Sequence, residues 1–269
     1  MIRTIVTGAA GRMGARLVSL VQEHTRFQLA GAIEIAGHPA VGRDVGEVAG
    51  CGHLGIPIQD SLEPSLHHAD VIIEFTSPKA TLDHLRQAVE AQLAMVIGTT
   101  GLTESERQTL EQLASSIPCV VDSNMSVGIN VLLHLLPQIV RALNGRYDME
   151  VIEAHHNKKK DAPSGTALSL AQTLAQASGH KLSDVGVYAR HGMIGERRPN
   201  EIGIQTIRAG DIVGDHTVLF GGPGERLELT HRAHTRDTFA QGALRAAEWV
   251  VTRPPGLYTM AHVLGFITR

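Results

Sequence analysis

The stretch that most constrains the fold is a short β-branched run, Ile2–Thr7, followed by Gly8-Ala9-Ala10-Gly11-Arg12-Met13-Gly14 and an amphipathic pattern to about Glu23. Strand, glycine-rich turn and helix in this order are what a dinucleotide-binding βαβ unit requires. Glycine lets the backbone approach a pyrophosphate, which sits on the outward-pointing amides of the helix N-terminus. The spacing is Gly-x-x-Gly-x-x-Gly, so Ala10 stands where the strict Gly-x-Gly-x-x-Gly pattern has its second glycine. A second strand pattern, Phe27–Ile33, ends at Glu34, twenty residues after Gly14. An acid there meets ribose hydroxyls. Gly8, Ala9, Ala10, Gly11, Arg12, Met13 and Glu34 are therefore candidate cofactor residues. The alternative is a tight structural turn with a surface glutamate. A 2′-phosphate is usually met by an arginine near this acid. Ile35 stands just after it and offers no charge, while Arg12 compensates in part. These residues favour NADH, or mixed use of NADH and NADPH, over strict NADPH.

Further along, residues 36–55 are glycine-rich and weakly periodic, and read as loop; residues 57–66 are ambiguous. Apolar runs at 71–75, 94–97 and 119–121 read as buried parallel strands. Helical periodicity fills 80–91, and Thr103-Glu104-Ser105-Glu106 fits a capping box for a helix to Ala114. Strand alternating with helix implies a doubly wound parallel sheet, with ligands at the carboxyl ends of its strands. Phe75-Thr76, Gly98-Thr99-Thr100 and Asp122-Ser123-Asn124-Met125 all follow such ends. Singly they also suit ordinary βα turns; together they favour one lined cleft.

The second half reads differently. A long helical pattern covers Val127–Leu143, and a strand over 148–154 delivers His155 at its end. Then comes His155-His156-Asn157-Lys158-Lys159-Lys160-Asp161-Ala162-Pro163-Ser164-Gly165-Thr166, opening an apolar helical pattern to about Gly179. Histidine exchanges protons near neutrality. Clustered lysines attract carboxylates, and a desolvated lysine can itself donate a proton. Ser164, Gly165 and Thr166 would offer backbone amides at a helix N-terminus, an anion site. The stretch suits an acidic small molecule that needs a proton, although a solvated polar loop has the same composition. Strand-like runs at 201–208, 216–220 and 226–231 follow one another without helices, so this part is α+β on a mixed or antiparallel sheet. Asp237 is expected to cap a helix over 238–251. The expected organisation is a Rossmann-like dinucleotide-binding domain at 1–126, with 237–269 returning to it, and a second domain at 127–236.

Several classes are excluded by composition. Aromatics make up 3% and the net charge is −3, so stacking platforms and an electrostatic footprint for nucleic acid are lacking. Cys51 and Cys119 match no metal or redox spacing and suggest free thiols in a reducing compartment. The opening residues pass straight into a strand pattern without a signal peptide, and no apolar run approaches the ~20 residues that span a bilayer. A cytoplasmic protein without membrane or nucleic-acid partners is expected. His24, His38, His53, His67, His68, His84, His134, His180 and His262 show no metal spacing and read as surface or core, so no metal is expected. His191, His231 and His234 lie near turns of the second domain and are lesser candidates for a site. No Gly-x-Ser-x-Gly elbow is present, so nucleophilic hydrolysis is unsupported.

The chain resembles the 4-hydroxy-tetrahydrodipicolinate reductase (dihydrodipicolinate reductase) family of lysine biosynthesis, over essentially its whole length. The resemblance rests on the glycine turn 6–14, on Glu74-Phe75-Thr76, Val96-Ile97-Gly98-Thr99-Thr100-Gly101 and Asn124-Met125-Ser126-Val127-Gly128, and on Arg208-Ala209-Gly210-Asp211-Ile212-Val213-Gly214. Its most specific part is the stretch from Glu153 to Ala167. It implies an NADH- or NADPH-dependent reduction of a cyclic imine dicarboxylate. His155 would be the acid/base residue and Lys159 the proton donor. His156, Ser164, Gly165 and Thr166 would hold substrate. Phe75, Thr76, Gly98, Thr99, Thr100, Asp122, Ser123, Asn124 and Met125 would join the glycine turn and Glu34 around the cofactor. A homotetramer formed through the second domain's sheet is implied as well. Two departures stand out: Ile35 where many members have Arg, and Met125 where many have Phe. The residues alone leave open a reductase of another imine or keto acid, or an NAD(H)-sensing regulator without turnover.

Overall fold

The computed structural model describes residues 1–268. The chain begins with β1 (Ile2–Thr7), α1 (Arg12–Glu23), β2 (Phe27–Ile33), α2 (Val45–Ala49), β3 (Ile58–Gln59) and α3 (Glu63–Leu66). Next come β4 (Val71–Glu74), α4 (Pro78–Glu90), β5 (Ala94–Ile97), α5 (Glu104–Ala114), β6 (Pro118–Val121) and α6 (Val127–Leu143). Then follow β7 (Asp148–His155), α7 (Gly165–Ala177), α8 (Leu182–Val185), β8 (Gly186–Val187), β9 (Ile202–Arg208), β10 (Gly214–Gly222) and β11 (Glu225–Ala233). The chain closes with α9 (Asp237–Val250), β12 (Gly256–Tyr258) and α10 (Met260–Val263). Two compact units result: Met1–Val127 with the chain from Arg236 onward, and Gly128–Thr235.

The first unit holds a seven-stranded sheet in the order β12-β6-β5-β4-β1-β2-β3, with every pairing parallel. Strands buried on both faces need apolar side chains throughout, and β4 and β5 are buried at every position. Alternate residues feed two cores. Val6, Ile73, Val96 and Val120 pack with α1 and α9, and Ile5, Ile72, Met95 and Cys119 with α4 and α5. From β1 the chain winds outward to β2 and β3, then returns to place β4 on β1's other side. The winding thus reverses between β1 and β4, and ligands in such sheets bind beyond the strand carboxyl ends at that reversal.

Three local expectations change. Within 36–55, Asp44 caps α2 by accepting from the amides of Gly46 (2.9 Å) and Glu47 (3.1 Å). A five-residue helix is too short to leave a periodic signal. Residues 57–66 resolve into β3 and α3. Asp237 is the first residue of α9, one past the N-cap position held by Arg236, and its carboxylate takes both Nε and Nη2 of Arg16 at 2.8 Å.

The second unit holds a mixed sheet in the order β11-β10-β7-β9-β8. β10 is antiparallel to β7 and β11, while β9 is parallel to β7 and β8. Leu136 and Val140 of α6 and Leu170 and Leu174 of α7 pack on Val151, Ile204, Val218 and Phe220. Along β7 the period of two buries Met149, Val151, Glu153 and His155 and leaves Glu150, Ile152 and Ala154 half-buried on the opposite face. That alternation puts a carboxylate and an imidazole on the helix-covered face, at the carboxyl end of the strand. Among the described residues no helix is long and apolar enough to cross a membrane.

Candidate functional site

In the first unit the turn after β1 is tight. Gly8 has φ +61°, Gly11 N–H donates to Gly8 O (2.9 Å), and Ala9 N–H donates to Ile33 O (2.9 Å). A Cβ on Gly14 would lie 2.0 Å from Gly8 O, so only glycine lets α1 start against this turn. No side chain caps α1, and its first turn carries no acid. The positive end of the helix dipole is therefore available to an anion. Glu34 folds back over the turn and accepts from Ala10 N–H (3.1 Å) and Ile35 N–H (3.0 Å). Beside it opens a cavity of about 470 Å³, lined by Gly8, Glu34, Ile35, Thr76, Lys79 and His84 among others. This glycine cradle, uncapped helix end and adjoining acid fit a dinucleotide.

Glu74, at the end of β4, is fully buried beneath this edge. Its carboxylate accepts from Thr7 Oγ1 (2.9 Å), from the Thr76 amide (2.8 Å) and hydroxyl, and meets His84 Nδ1 at 2.6 Å. Burial pushes its pKa up, but these hydrogen bonds outweigh it and hold the carboxyl below the ordinary glutamate value. The network fixes Thr76 and His84, both of which line the cavity. Lys79 stands just before the helical pattern expected at 80–91 and His84 within it, and neither carries a further sequence signal; His84 reads as surface or core.

Of the expected cofactor residues, Gly8, Glu34 and Thr76 line the cavity itself. Gly98, Thr99 and Thr100 end β5 at the same carboxyl edge. Gly98 lies under the Phe75 ring, where a Cβ would come within 2.1 Å, and Thr99 Oγ1 meets Thr81 Oγ1 at 2.7 Å. Asp122, after β6, accepts from the amides of Asn124 (3.2 Å) and Met260 (3.2 Å), and burial raises its pKa. Ser123 is exposed, whereas Met125 is 1% exposed within the core, its carbonyl against Gly242 of α9. Arg12 and Met13 open α1 outside the cavity wall.

In the second unit Glu153 is the hub. It is fully buried and gathers five donors. Arg208 reaches both oxygens (2.7 and 2.9 Å), His155 Nδ1 meets Oε2 at 2.6 Å, and Ser164 N–H and Thr206 Oγ1 reach Oε1 at 3.0 and 3.3 Å. Burial acts to raise its pKa, but the Arg208 guanidinium and the other donors prevail and hold it at about 2. His155 is 8% exposed. Burial pushes its imidazole below the ordinary value; Glu153 opposes this, and the Lys159 and Arg208 cations reinforce it.

The loop after His155 is pinned to the turn between β9 and β10. His155 O accepts from Ala209 N–H (2.9 Å), His156 N–H donates to Ile212 O (2.7 Å), and Asn157 N–H donates to Gly210 O (3.1 Å). The sequence left three lysines open. Lys159 is the half-buried one, its Nζ 2.8 Å from Asp161 Oδ2, whereas Lys158 and Lys160 are exposed. Ser164 caps α7, its Oγ accepting from Ala167 N–H (3.1 Å) and meeting His216 Nε2 at 2.9 Å. Gly165 and Thr166 form the first turn of α7, which carries no acid, and the space where a Cβ on Gly165 would sit is open. His216 is 5% exposed, and burial, aided by the neighbouring His155, pushes it down to about 4. In the sequence Glu153 and Arg208 stand out only as parts of longer strings and His216 only as a strand residue. A buried acid is not marked by residue type.

A parallel sheet wound about a glycine turn and an acid, with a buried His–Glu pair and a cationic loop in a second unit, defines a pyridine-nucleotide-dependent oxidoreductase. The chain belongs to the dihydrodipicolinate reductase family: residues 2–125 match its N-terminal part and residues 128–264 its C-terminal part. It is 53% identical to the 4-hydroxy-tetrahydrodipicolinate reductase of Syntrophus aciditrophicus, covering 99% of both chains. It is also 53% identical to that of Syntrophobacter fumaroxidans, over 98% of this chain and 99% of the relative. In fold it is similar to a dipicolinate-bound dihydrodipicolinate reductase from Paenisporosarcina sp. TG-14, with TM-score 0.74 at 24% identity over 96% of this chain and 97% of that one.

Proposed function

We propose that the chain reduces 4-hydroxy-tetrahydrodipicolinate to tetrahydrodipicolinate, on the diaminopimelate route to lysine, with NADH or NADPH as reductant. The observation that carries this reading is the cluster of His155, Lys159 and the head of α7 around Glu153, in a chain half identical to enzymes of that name. Substrate, reduced nucleotide and one proton give product, water and oxidised nucleotide. The nicotinamide supplies the hydride.

The chain's residues do the rest. Gly8 to Met13 hold the pyrophosphate on α1, and Glu34 takes ribose hydroxyls. Phe75, Thr76, Gly98 to Thr100 and Asp122 to Met125 hold the remainder of the nucleotide along the strand edge. One substrate carboxylate rests on Ser164 and the amides of Gly165 and Thr166, with His156 beside it; the cationic loop attracts the other. Lys159, half-buried beside the site, gives a proton to the ring carbon that hydride addition leaves electron-rich. His155, its imidazole pushed below the ordinary value by burial, serves as the acid/base relay through which the Lys159 amine is recharged. Ile35 supports NADH or dual use. A cytoplasmic homotetramer joined through the face of the second sheet that carries Ile152, Ile207 and Leu219, opposite α6 and α7, completes the reading.

The test is oxidation of NADH and NADPH with substrate made in situ from pyruvate and aspartate semialdehyde by a dihydrodipicolinate synthase. Rapid substrate-dependent loss of reduced nucleotide supports the reductase. Binding of NADH without turnover favours a sensor.

A further inference from the structure

The two oxygens of Glu153 serve different masters. Oε2 meets His155 Nδ1 at 2.6 Å, and Oε1 accepts the Ser164 amide at 3.0 Å. Ser164 in turn caps α7 through Ala167 N–H and is held on its other side by His216 Nε2. Arg208 braces both oxygens and also donates to Asp161 O (2.7 Å), which ties the carboxylate to the loop between Lys159 and Ser164. We propose that Glu153 is a positioning residue that couples the proton site at His155 to the carboxylate site at the head of α7. The inference rests on the reductase reading for its kinetic consequence, but its structural part stands without it.

The chemistry of the donors fixes the tautomer. Arg208, the Ser164 amide and the Thr206 hydroxyl all donate to Glu153, so the group must be an ionised, acceptor-only carboxylate. His155 must then carry a proton on Nδ1, and in its neutral form presents Nε2 as a lone pair. The charged groups facing this pair are Arg208, Lys159 and Asp161, with His216 stacked edge-on against His155 at 5.1 Å between ring centres. Glutamine at 153 cannot satisfy this surround, because its NH₂ would have to face a donor. The least costly rearrangement turns that NH₂ toward His155, whose ring becomes the Nε2–H tautomer, and withdraws the acceptor of Arg208 Nη1, which loosens the guanidinium that also holds Asp161 O in the loop leading to Ser164.

The experiment uses the whole protein with ¹⁵N-labelled histidine. Imidazole nitrogen shifts report the His155 tautomer, and calorimetry reports the affinity for dipicolinate, a planar dicarboxylate. In the unsubstituted protein His155 is expected as Nδ1–H. In Glu153→Gln it is expected as Nε2–H, with dipicolinate affinity lower by ~10-fold from the lost Arg208 hydrogen bond that braces the loop into α7 and NADH affinity unchanged. Under the reductase reading kcat also falls by ~10²-fold, with a displaced pH profile, and Glu153→Asp recovers part of it. A tautomer change without loss of affinity, or the reverse, overturns the coupling, and so does Nε2–H in the unsubstituted protein. That last measurement decides the matter even if the glutamine variant does not fold. If the unsubstituted enzyme fails to turn over substrate while tautomer and affinity behave as stated, the reductase reading falls and the coupling stands.

Discussion

The turn after β1 and the loop after β7 both lead from a strand into a helix over an anion site, and they are built in opposite ways. The first is made of backbone: glycines, an uncapped helix end, and one acid bent over the amides of Ala10 and Ile35. The second is made of side chains converging on a carboxylate that water does not reach. A backbone site is a matter of shape, and spacing alone conveys it. A side-chain site is a matter of charge and protonation, and it depends on residues that meet only after folding. The contrast predicts that damage to the first weakens cofactor binding and stability, while damage to the second lowers turnover and makes it sensitive to acid.

The sharpest test is Lys159→Ala. It should lower kcat by at least ~10²-fold, the scale of lost acid catalysis, with NADH affinity unchanged. Lys158→Ala and Lys160→Ala should stay near the unsubstituted rate; equal losses in all three would show a diffuse cationic patch. Next in size is Gly14→Ala. Its Cβ would press on Gly8 O, and the forced shift of α1 should cost ~1–3 kcal/mol of stability and weaken NADH, read by thermal denaturation and fluorescence titration. Retained affinity would show that the turn tolerates a new shape.

Acid separates the regions further. His216 drops from 6.5 to about 4 on folding, so the unfolded chain binds more protons below about 6.5. Stability is full above that pH and is lost as pH falls toward about 4. By pH 5 the loss should be on the order of 2 kcal/mol, visible as a lower Tm than at pH 7. Glu153 adds a further loss between its ordinary value and about 2. His216→Gln should flatten the upper part of that slope; an unchanged slope would remove His216 as its source. The smallest effect concerns cofactor choice. Ile35→Arg should raise the ratio of kcat/KM for NADPH over NADH by ~10-fold, and Lys79→Glu should lower it, because both side chains border the same cavity.

How much the sequence conveyed follows the same division. The strands β1, β2, β4, β5 and β6 of the first sheet stood out as apolar or β-branched runs, since both faces are covered, whereas the two-residue β3 and the three-residue β12 were too short to do so. The Thr103–Glu106 capping box is present, with Thr103 N–H donating to Glu106 at 2.8 Å. The five-residue α2 did not stand out, because it depends on Asp44 gathering amides up to twelve residues away. Asp237 misled for a related reason: its partner, Arg16, lies 221 positions earlier. In the second unit the His–Lys string was legible by residue type. Glu153, Arg208 and His216 were not, because three strands bring them together and their burial is a property of the fold.

The interrupted first sheet has a consequence for biosynthesis. Six of its strands are synthesised by Val121, yet β12 and the α9 residues Ala240, Ala243, Ala247 and Val250, which cover one of its faces, emerge only after the entire second unit. At ~5–20 residues per second the ribosome takes on the order of ten seconds to deliver them. For that interval, while Gly128–Thr235 is being made, the nascent chain carries a nearly complete sheet with the part of one oily flank that α9 covers left bare. A late stop codon would therefore do more harm than its distance from either anion site suggests: it would strand an otherwise finished sheet in aggregation-prone form.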